Sequence, residues 1–355
     1  MARPGDVLSY GGNHARTASY DASLADSLVE IWERDLSAGT GAGTPLLLDS
    51  IVLGGNLRGD LYACDIRTGK SIGSVRLTDA VPGSPVLDQN VVVMPSSGSQ
   101  ESLIAYNLTT GHVVWRKSYG EVEMSPLLMS GGVYFGTLTG KAYCLDASMG
   151  NLVWKFEIPE NMRFNGFRSS PSANDSLVFF GCDDGSLYAL RAKDGSLSWR
   201  SLVDEPIMGG SALASGTVIV ATTHGSIVAF DAGTGKQRWD YRTGAPIFSS
   251  PAVCNDTLVI GGIDGYVRAL RVGDGTLLWQ TSVEGPVNAA AAIAGDKVYV
   301  GTLKKRFFAL RLSDGHIVMA KELDGRVASP AVVGYHKVLV VTDEYTLYCF
   351  GRGKE

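Results

Sequence analysis

Six tryptophans recur at one place in a repeated pattern, and this repeat restricts the chain to very few architectures. They are Trp32, Trp115, Trp154, Trp199, Trp239 and Trp279. One copy reads Ala229, Asp231, Gly235 and Trp239, with the intervening positions variable. With Gly73 and Met319 standing where Trp would be, eight markers follow one another at intervals of 39 to 45 residues. A period near forty is typical of a propeller or a solenoid.

Each repeat predicts four short strands joined by tight turns. Within residues 250–281, apolar and β-branched runs alternate with the turn signals Asn255-Asp256 and Gly273-Asp-Gly275. Four such strands make one antiparallel blade. Eight starts of a first strand and eight third strands can be recognised along the chain. The sequence therefore predicts an all-β fold: an eight-bladed β-propeller of four-stranded antiparallel blades.

The last repeat lacks a fourth strand, because the chain stops soon after Gly351. Residues 29–36 have the character of a fourth strand, with no strand of the same repeat before them. We expect residues 29–36 to complete the last blade and close the ring, which removes the open edges that invite aggregation. The expected division is a strap over residues 1–28, with helical turns in 21–28, a propeller over 29–351 and a tail over 352–355.

Two recurring residue types have structural explanations. The Gly before each Trp suits a tight turn that needs positive φ. The six tryptophans are expected to pack, with the indole N–H reaching a neighbouring blade. Cys144 and Cys349 occupy the position that Ala fills in other repeats, so they are expected to be small buried packing residues. The five cysteines show no CxxC spacing, which argues against a disulfide or metal framework.

Composition excludes some classes of function. The formal net charge of −5 argues against nucleic acid as a partner. The chain has no run of eighteen apolar residues, so no transmembrane helix is expected. It also has no apolar segment near Met1, which predicts a protein that is either cytosolic or given without its export signal.

The repeats resemble those of the quinoprotein, or PQQ-like, propeller family, most closely at Ala229, Asp231, Gly235 and Trp239. The segment 10–17 also resembles the N-terminal sequence of exported bacterial members, and the resemblance extends over about residues 5–351. One branch of this family contains PQQ-dependent dehydrogenases, whose alcohol-oxidising members are longer and carry adjacent cysteines and a calcium site. Another contains non-enzymatic eight-bladed propellers, including the lipoprotein subunit of the bacterial β-barrel assembly machinery.

The chain has no Cys-Cys pair and no assignable acid cluster of the calcium type, so the resemblance favours the non-enzymatic branch. It implies a periplasmic or outer-membrane-associated protein with a protein partner, associated with the membrane through that partner or a lipid anchor. No lipidated Cys stands near Met1, and the resemblance supplies no partner-binding residues.

No catalytic, cofactor-binding or metal-binding residue is assigned from the sequence. The five histidines lack metal-ligand spacing, and no nucleophile elbow or P-loop is present. Five acids in the second turns of different repeats could converge on one face as a cation site, although turn preference explains Asp there equally well. They are Asp183, Asp184, Asp264, Asp343 and Glu344.

Departures from the repeat indicate where a partner would bind. The longest interval contains an insertion rich in Arg and Phe, residue types that often anchor interfaces. A basic run replaces the usual glycine turn of the seventh repeat, and two further large side chains occupy equivalent loops. The candidate partner-binding residues are Arg163, Phe164, Phe167, Arg168, His224, Lys304, Lys305, Arg306 and Tyr345. In the alternative, Phe164 and Phe167 tuck under their own loop and the basic run is merely solvated.

Three functions follow as hypotheses. The first is a non-catalytic scaffold whose loop-bearing face recruits a protein or peptide, in envelope or outer-membrane protein assembly. The second is a PQQ- or metal-dependent oxidoreductase. The third is a small-ligand sensor that uses the axial funnel of the propeller.

Overall fold

Eight antiparallel sheets form the blades of a propeller in the computed structural model, which describes residues 3, 5–20, 24, 28–98, 100–158, 166–203 and 205–353. Every regular element in these ranges is a strand, so the predicted all-β architecture is confirmed. The helical turns predicted for 21–28 fall largely outside the described residues. No described part of the chain forms a helix long and apolar enough to cross a membrane.

The strands follow one another blade by blade. Two precede the first blade: β1 (Ser19–Tyr20) and β2 (Val29–Asp35). Blade 1 has β3 (Leu46–Leu48), β4 (Ile51–Gly55), β5 (Asp60–Asp65) and β6 (Ser71–Arg76). Blade 2 has β7 (Val86–Asp88), β8 (Val91–Pro95), β9 (Leu103–Asn107) and β10 (His112–Lys117). Blade 3 has β11 (Leu127–Met129), β12 (Gly132–Gly136), β13 (Lys141–Asp146) and β14 (Leu152–Glu157).

The later blades repeat this order. Blade 4 has β15 (Ser172–Ala173), β16 (Leu177–Gly181), β17 (Ser186–Arg191) and β18 (Leu197–Leu202). Blade 5 has β19 (Ala212–Ala214), β20 (Thr217–Ala221), β21 (Ser226–Asp231) and β22 (Gln237–Arg242). Blade 6 has β23 (Ala252–Cys254), β24 (Thr257–Gly261), β25 (Tyr266–Arg271) and β26 (Leu277–Ser282). Blade 7 has β27 (Ala292–Ala294), β28 (Lys297–Gly301), β29 (Arg306–Arg311) and β30 (Ile317–Glu322). Blade 8 has β31 (Val332–Gly334), β32 (Lys337–Val341) and β33 (Thr346–Gly351).

The ring closes as predicted, because β2 is the outer strand of blade 8. It pairs antiparallel with β33, with Trp32 opposite Cys349 and Asp35 opposite Thr346. The first and last described parts of the propeller therefore share one sheet, and neither end leaves an unpaired inner edge.

The core lies between neighbouring blades. The second strand of blade 5, β20, is buried along its whole length, whereas its outer strand β22 buries mainly Trp239. Short continuous apolar runs in the second and third strands thus correspond to strands covered on both faces. Cys144 and Cys349 are buried in this core as expected, Cys64 and Cys182 are buried as well, and Cys254 is half-buried.

Each tryptophan ties its blade to the next, as expected. The indole N–H of Trp199 in blade 4 donates to the Ala232 carbonyl of blade 5 at 3.0 Å. Trp32 does the same across the closing seam, donating to the Ile66 carbonyl of blade 1 at 2.9 Å. A buried polar tip on a large apolar ring needs such a partner.

Candidate interaction face

A funnel opens at the centre of one end of the propeller. Because the strands of each blade alternate in direction, the turn after every second strand and the connection into every first strand lie at this end, which we call the loop face. A cavity of about 110 Å³ lies on the axis and is lined by residues from all eight blades, with Tyr10 also in its wall. The loop face therefore surrounds one small blind pocket.

The pocket is blind because residues 5–20, which we call the strap, pair with the inner edges of the first strands. Val7 exchanges backbone hydrogen bonds with Leu47 of blade 1 at 2.8 and 2.9 Å. Strap carbonyls accept the N–H groups of Leu213 in blade 5 and Ile293 in blade 7, each at 2.9 Å. Residues Ser19–Tyr20 form β1, a parallel fifth strand beside β27. The strap therefore fills the axis below the funnel, where the sequence predicted only that it lies on the propeller.

Arg16 fixes the strap from within. Its side chain is only 2% exposed. Its guanidinium donates to the carbonyls of Pro126 at 2.7 Å and Pro171 at 3.0 Å, which directly precede the first strands of blades 3 and 4, and also to the Tyr10 carbonyl. Burial lowers the pKa of Arg16 to about 10, so the group is still charged at neutral pH. Three carbonyl acceptors and the Tyr10 ring, 5.2 Å from the guanidinium carbon, replace the water that it has lost.

A belt of serines joins the blades around the funnel. The backbone N–H of Thr44 donates to the Ser84 hydroxyl at 2.7 Å, and that of Ser84 to the Ser125 hydroxyl at 2.8 Å. On the far side the Gly210 N–H donates to Ser250 at 2.7 Å, and Ser250 also contacts the Tyr10 hydroxyl at 3.0 Å. The recurrent Ser at the start of the first strands therefore supplies an acceptor for the neighbouring blade.

In seven blades the rim of the funnel carries one side chain at an equivalent repeat position, and these residues differ in chemistry. They are Ala42, Glu123, Arg168, Met208, Phe248, Asn288 and Ala328, with Gly83 closing the wall in blade 2. Met208 and Phe248 are large apolar side chains left 39% and 38% exposed. Sequence reasoning missed this ring, although an apolar residue two positions before the serine belt would have marked it.

The insertion of blade 4 is only partly as predicted. Arg163 and Phe164 lie outside the described residues. Phe167 is fully buried, with its ring 5.4 Å from that of Phe180 and 5.7 Å from that of Tyr188. The expectation that Phe167 faces a partner is therefore wrong, since the ring anchors its loop in the core between blades 3 and 4.

Arg168 does reach the rim of the funnel. It donates to Glu123 at 2.7 Å and to Asp183 at 2.9 Å, which joins the loops of blades 3 and 4. Burial lowers the pKa of Arg168, but the carboxylates of Asp183 and Glu123 outweigh burial and hold this pKa above its ordinary value. One wall of the funnel mouth is thus a fixed ion pair.

The acids that could have formed a cation site do not converge. Asp184 pairs with Arg200 at 3.0 Å and Asp264 with Arg268 at 2.5 Å, each within its own blade. Asp343 pairs with Arg326 at 2.6 Å. Across the described ranges no group of three or more His, Cys, Asp or Glu side chains could hold a metal ion.

Blades 7 and 8 bear the most unusual turns of the loop face. In five other blades the turn after the second strand has a glycine with positive φ: Gly59, Gly140, Gly185, Gly225 and Gly265. Lys305 and Tyr345 occupy this position instead, with φ of 59° and 70°. Such values are rare for large side chains, and strain of this kind is concentrated at functional sites.

The side chains at these two turns extend outward. Tyr345 is 46% exposed, and Leu57 of blade 1, which the sequence did not single out, is exposed to the same extent. A Cβ at Gly39 would lie 3.3 Å from Tyr345 and 3.6 Å from Leu57, so both side chains border one connection. Blades 8 and 1 therefore share an exposed aromatic and aliphatic edge, and the basic turn belongs to the neighbouring blade 7.

The remaining candidates are spread around the ring. Lys304 and Lys305 are exposed in blade 7, and Lys305 donates to the Asp324 carbonyl at 2.7 Å. Arg306 is half-buried, with its guanidinium carbon 5.5 Å from the centre of the Phe308 ring. His224 is exposed in blade 5, away from this group. The basic run and Tyr345 lie in equivalent turns of the neighbouring blades 7 and 8, whereas His224 lies in blade 5.

Comparison with known proteins agrees with this architecture. The fold and its repeats define a quinoprotein-type propeller with PQQ-like repeats. A family model described as outer membrane protein assembly factor BamB matches residues 25–181, 120–246 and 263–352. The chain belongs to this BamB family.

Solved structures share the fold at low sequence identity. BamB from Moraxella catarrhalis superposes with a TM-score of 0.78 at 19% identity, over 92% of this chain and 100% of that one. The quinohemoprotein alcohol dehydrogenase from Comamonas testosteroni gives 0.79 at 15% identity, over 99% of this chain and 82% of that one. These likenesses establish the propeller fold alone.

A curated relative comes from the dehydrogenase branch. The dehydrogenase subunit of a quinone-dependent alcohol dehydrogenase of Gluconobacter oxydans is 30% identical over 173 residues, 47% of this chain. The match spans only 19% of that longer protein.

Proposed function

We propose that this propeller is a non-catalytic scaffold that holds a protein partner on its loop face and acts in outer-membrane protein assembly, on the periplasmic side of that membrane. Membership of the BamB family supports the assembly role. The observation that carries the choice of face is the pair of strained, exposed residues Lys305 and Tyr345 where five blades have glycine.

The chemistry of this edge suits a protein surface. Tyr345 and Leu57 offer exposed apolar area, and the exposed Lys304 adds a charge in the equivalent turn of the neighbouring blade 7. Aromatic anchors surrounded by polar groups are the usual centres of protein interfaces. Keeping a tyrosine at φ 70° costs about 1–2 kcal/mol relative to glycine, a cost that a binding role explains.

Photo-crosslinking tests the proposal. A photoreactive phenylalanine analogue placed at Tyr345 in cells should crosslink to an integral outer-membrane protein. The same analogue at Tyr241, on the outer strand of blade 5, should not. Absence of a Tyr345 adduct, or equal adducts at both positions, would remove the loop face from the interface.

Charge reversal gives an independent measurement. Lys304→Glu with Lys305→Glu should reduce recovery of that partner about tenfold or more, as expected when like charges replace favourable ones. The matched control is Lys193→Glu with Lys236→Glu, in turns at the opposite end of blades 4 and 5. Equal recovery with both pairs would contradict the proposal.

The dehydrogenase relative supports a second candidate, a quinone-dependent oxidoreductase. The geometry of the funnel argues against a tricyclic quinone there, since sites for ligands of that size usually have about 300–1,000 Å³. The cavity here has about 110 Å³, with the strap below it. Incubation with PQQ and calcium, followed by dye reduction with alcohols or sugars, should give no turnover.

A further inference from the structure

The side chains around the mouth of the funnel differ in size from one side of the axis to the other, and this difference sets the shape of the free space. Met208 and Phe248, in blades 5 and 6, face Ala42 and Gly83 in blades 1 and 2 across the axis. Large apolar side chains on one side therefore oppose small residues on the other. The free space is a slot with one apolar wall, and that wall is partly exposed in the absence of a partner.

One polar atom in the wall of this slot has no partner. The side-chain Oδ1 of Asn288 in blade 7 is buried, and none of the described residues donates a hydrogen bond to it. Buried polar atoms are nearly always satisfied, so an exception calls for a missing partner. A ligand with an N–H group near the apolar wall would supply that donor.

The size of the slot limits what enters it. Its volume of about 110 Å³ is smaller than a cavity of about 150 Å³ that holds benzene. Tyr10, fixed by its hydroxyl contact with Ser250 at 3.0 Å, lies in the closed end. A single aliphatic side chain fits this space.

We propose that the funnel is the socket for one leucine-sized apolar side chain at the tip of a loop of the partner protein. The side chain packs between Met208 and Phe248, and a backbone N–H of the same loop donates to Asn288. This inference rests on the proposed function and specifies the partner's chemistry. A pocket that takes one anchor side chain is how many interfaces concentrate their affinity.

Small amides test the socket directly. N-acetyl-L-leucinamide, titrated into the full chain, should shift the methyl NMR signal of Met208. N-acetyl-L-alaninamide, with its smaller side chain, should bind at least about tenfold more weakly. Ala328→Trp, at an exposed rim position, should abolish the shift. Ala320→Trp, exposed on the outer strand of the adjacent blade 7, is the matched control and should leave it unchanged.

Asn288 is tested by substitution. Asn288→Ala should weaken leucinamide binding about fivefold, because the acceptor is lost. Asn288→Asp keeps an acceptor and should retain binding. No leucinamide shift, or a shift that Ala328→Trp does not affect, would overturn the socket.

The crosslink at Tyr345 separates the two proposals. If Ala328→Trp reduces that crosslink while Ala320→Trp does not, the socket takes part in partner binding. If the crosslink survives Ala328→Trp, the loop face still binds the partner, and the socket proposal is wrong even where leucinamide binds. If the crosslink at position 345 is missing even in the chain that keeps Ala328, the proposed function itself is wrong.

Discussion

Gly235 in the last turn of blade 5 lies directly against the ring of Trp199 in blade 4: a Cβ on Gly235 would be 2.6 Å from Cδ2 and Cε3 of that indole. The same contact recurs around the propeller. The pairs are Gly69 with Trp32, Gly150 with Trp115, Gly195 with Trp154, Gly275 with Trp239 and Gly315 with Trp279. In these six turns the glycine is therefore required by the tryptophan of the preceding blade as well as by its own positive φ.

Two glycine substitutions separate these causes. Gly235 and Gly111 have nearly equal φ, 72° and 70°, but the nearest atom to a Cβ at Gly111 is 3.6 Å away, because blade 1 has no tryptophan. Both alanine variants lose about 1 kcal/mol from the backbone. Gly235→Ala should lose about 1–3 kcal/mol more through overpacking. Urea unfolding measures the free energy of unfolding of both variants. An equal loss of stability in the two would contradict the packing role of Gly235.

The repeat was predictable because its cause is local. Asp231, Gly235 and Trp239 belong to one turn and one strand, so their spacing directly records the blade. Residues 29–36 could be assigned to blade 8 because only one strand was missing. The funnel floor could not be predicted, since strap residues such as Val7 pair through backbone groups, which leave no pattern in the sequence.

The side chains of the candidate interaction face were predicted less well for a physical reason. A phenylalanine in an insertion can anchor its own loop or a partner, and Phe167 does the first. Lys305 was singled out because a basic run replaces the usual glycine turn, and Tyr345 because it lies in an equivalent loop. Met208 and Asn288 were missed, because their significance depends on the other rim residues that meet them at the axis.

Arg16 should be a large contributor to stability. Arg16→Met removes the donors to Pro126, Pro171 and Tyr10, leaving buried carbonyls unsatisfied. The expected loss is about 2–4 kcal/mol, offset in part by removal of a buried charge. The strap should also become accessible to limited proteolysis. Arg67→Met, at a side chain 76% exposed, is the control and should leave both unchanged.

Acid should destabilise the turns that contain the repeat Asp. The Arg238 guanidinium, 2.7 Å away, and the Thr234 hydroxyl lower the pKa of Asp231 from 3.8 to about 2. As pH falls, the Asp231 carboxylate is therefore protonated in the unfolded chain before it is protonated in the folded chain. The stabilisation of the folded state by this carboxylate is complete above about pH 4 and is lost as pH falls towards 2. Asp231→Asn should make urea-unfolding midpoints less dependent on pH in this window. An unchanged dependence would assign acid sensitivity to other groups.

Stability and partner binding should respond separately to substitution at Tyr345. Tyr345→Gly and Tyr345→Ala both remove the exposed ring, but only glycine adopts φ 70° without a Cβ clash. The glycine variant should therefore be more stable than the alanine variant by about 1 kcal/mol in urea unfolding. Both should recover the partner equally poorly, because each lacks the ring. If the alanine variant is the more stable, the turn is not strained, and the reason for placing a binding residue there is lost.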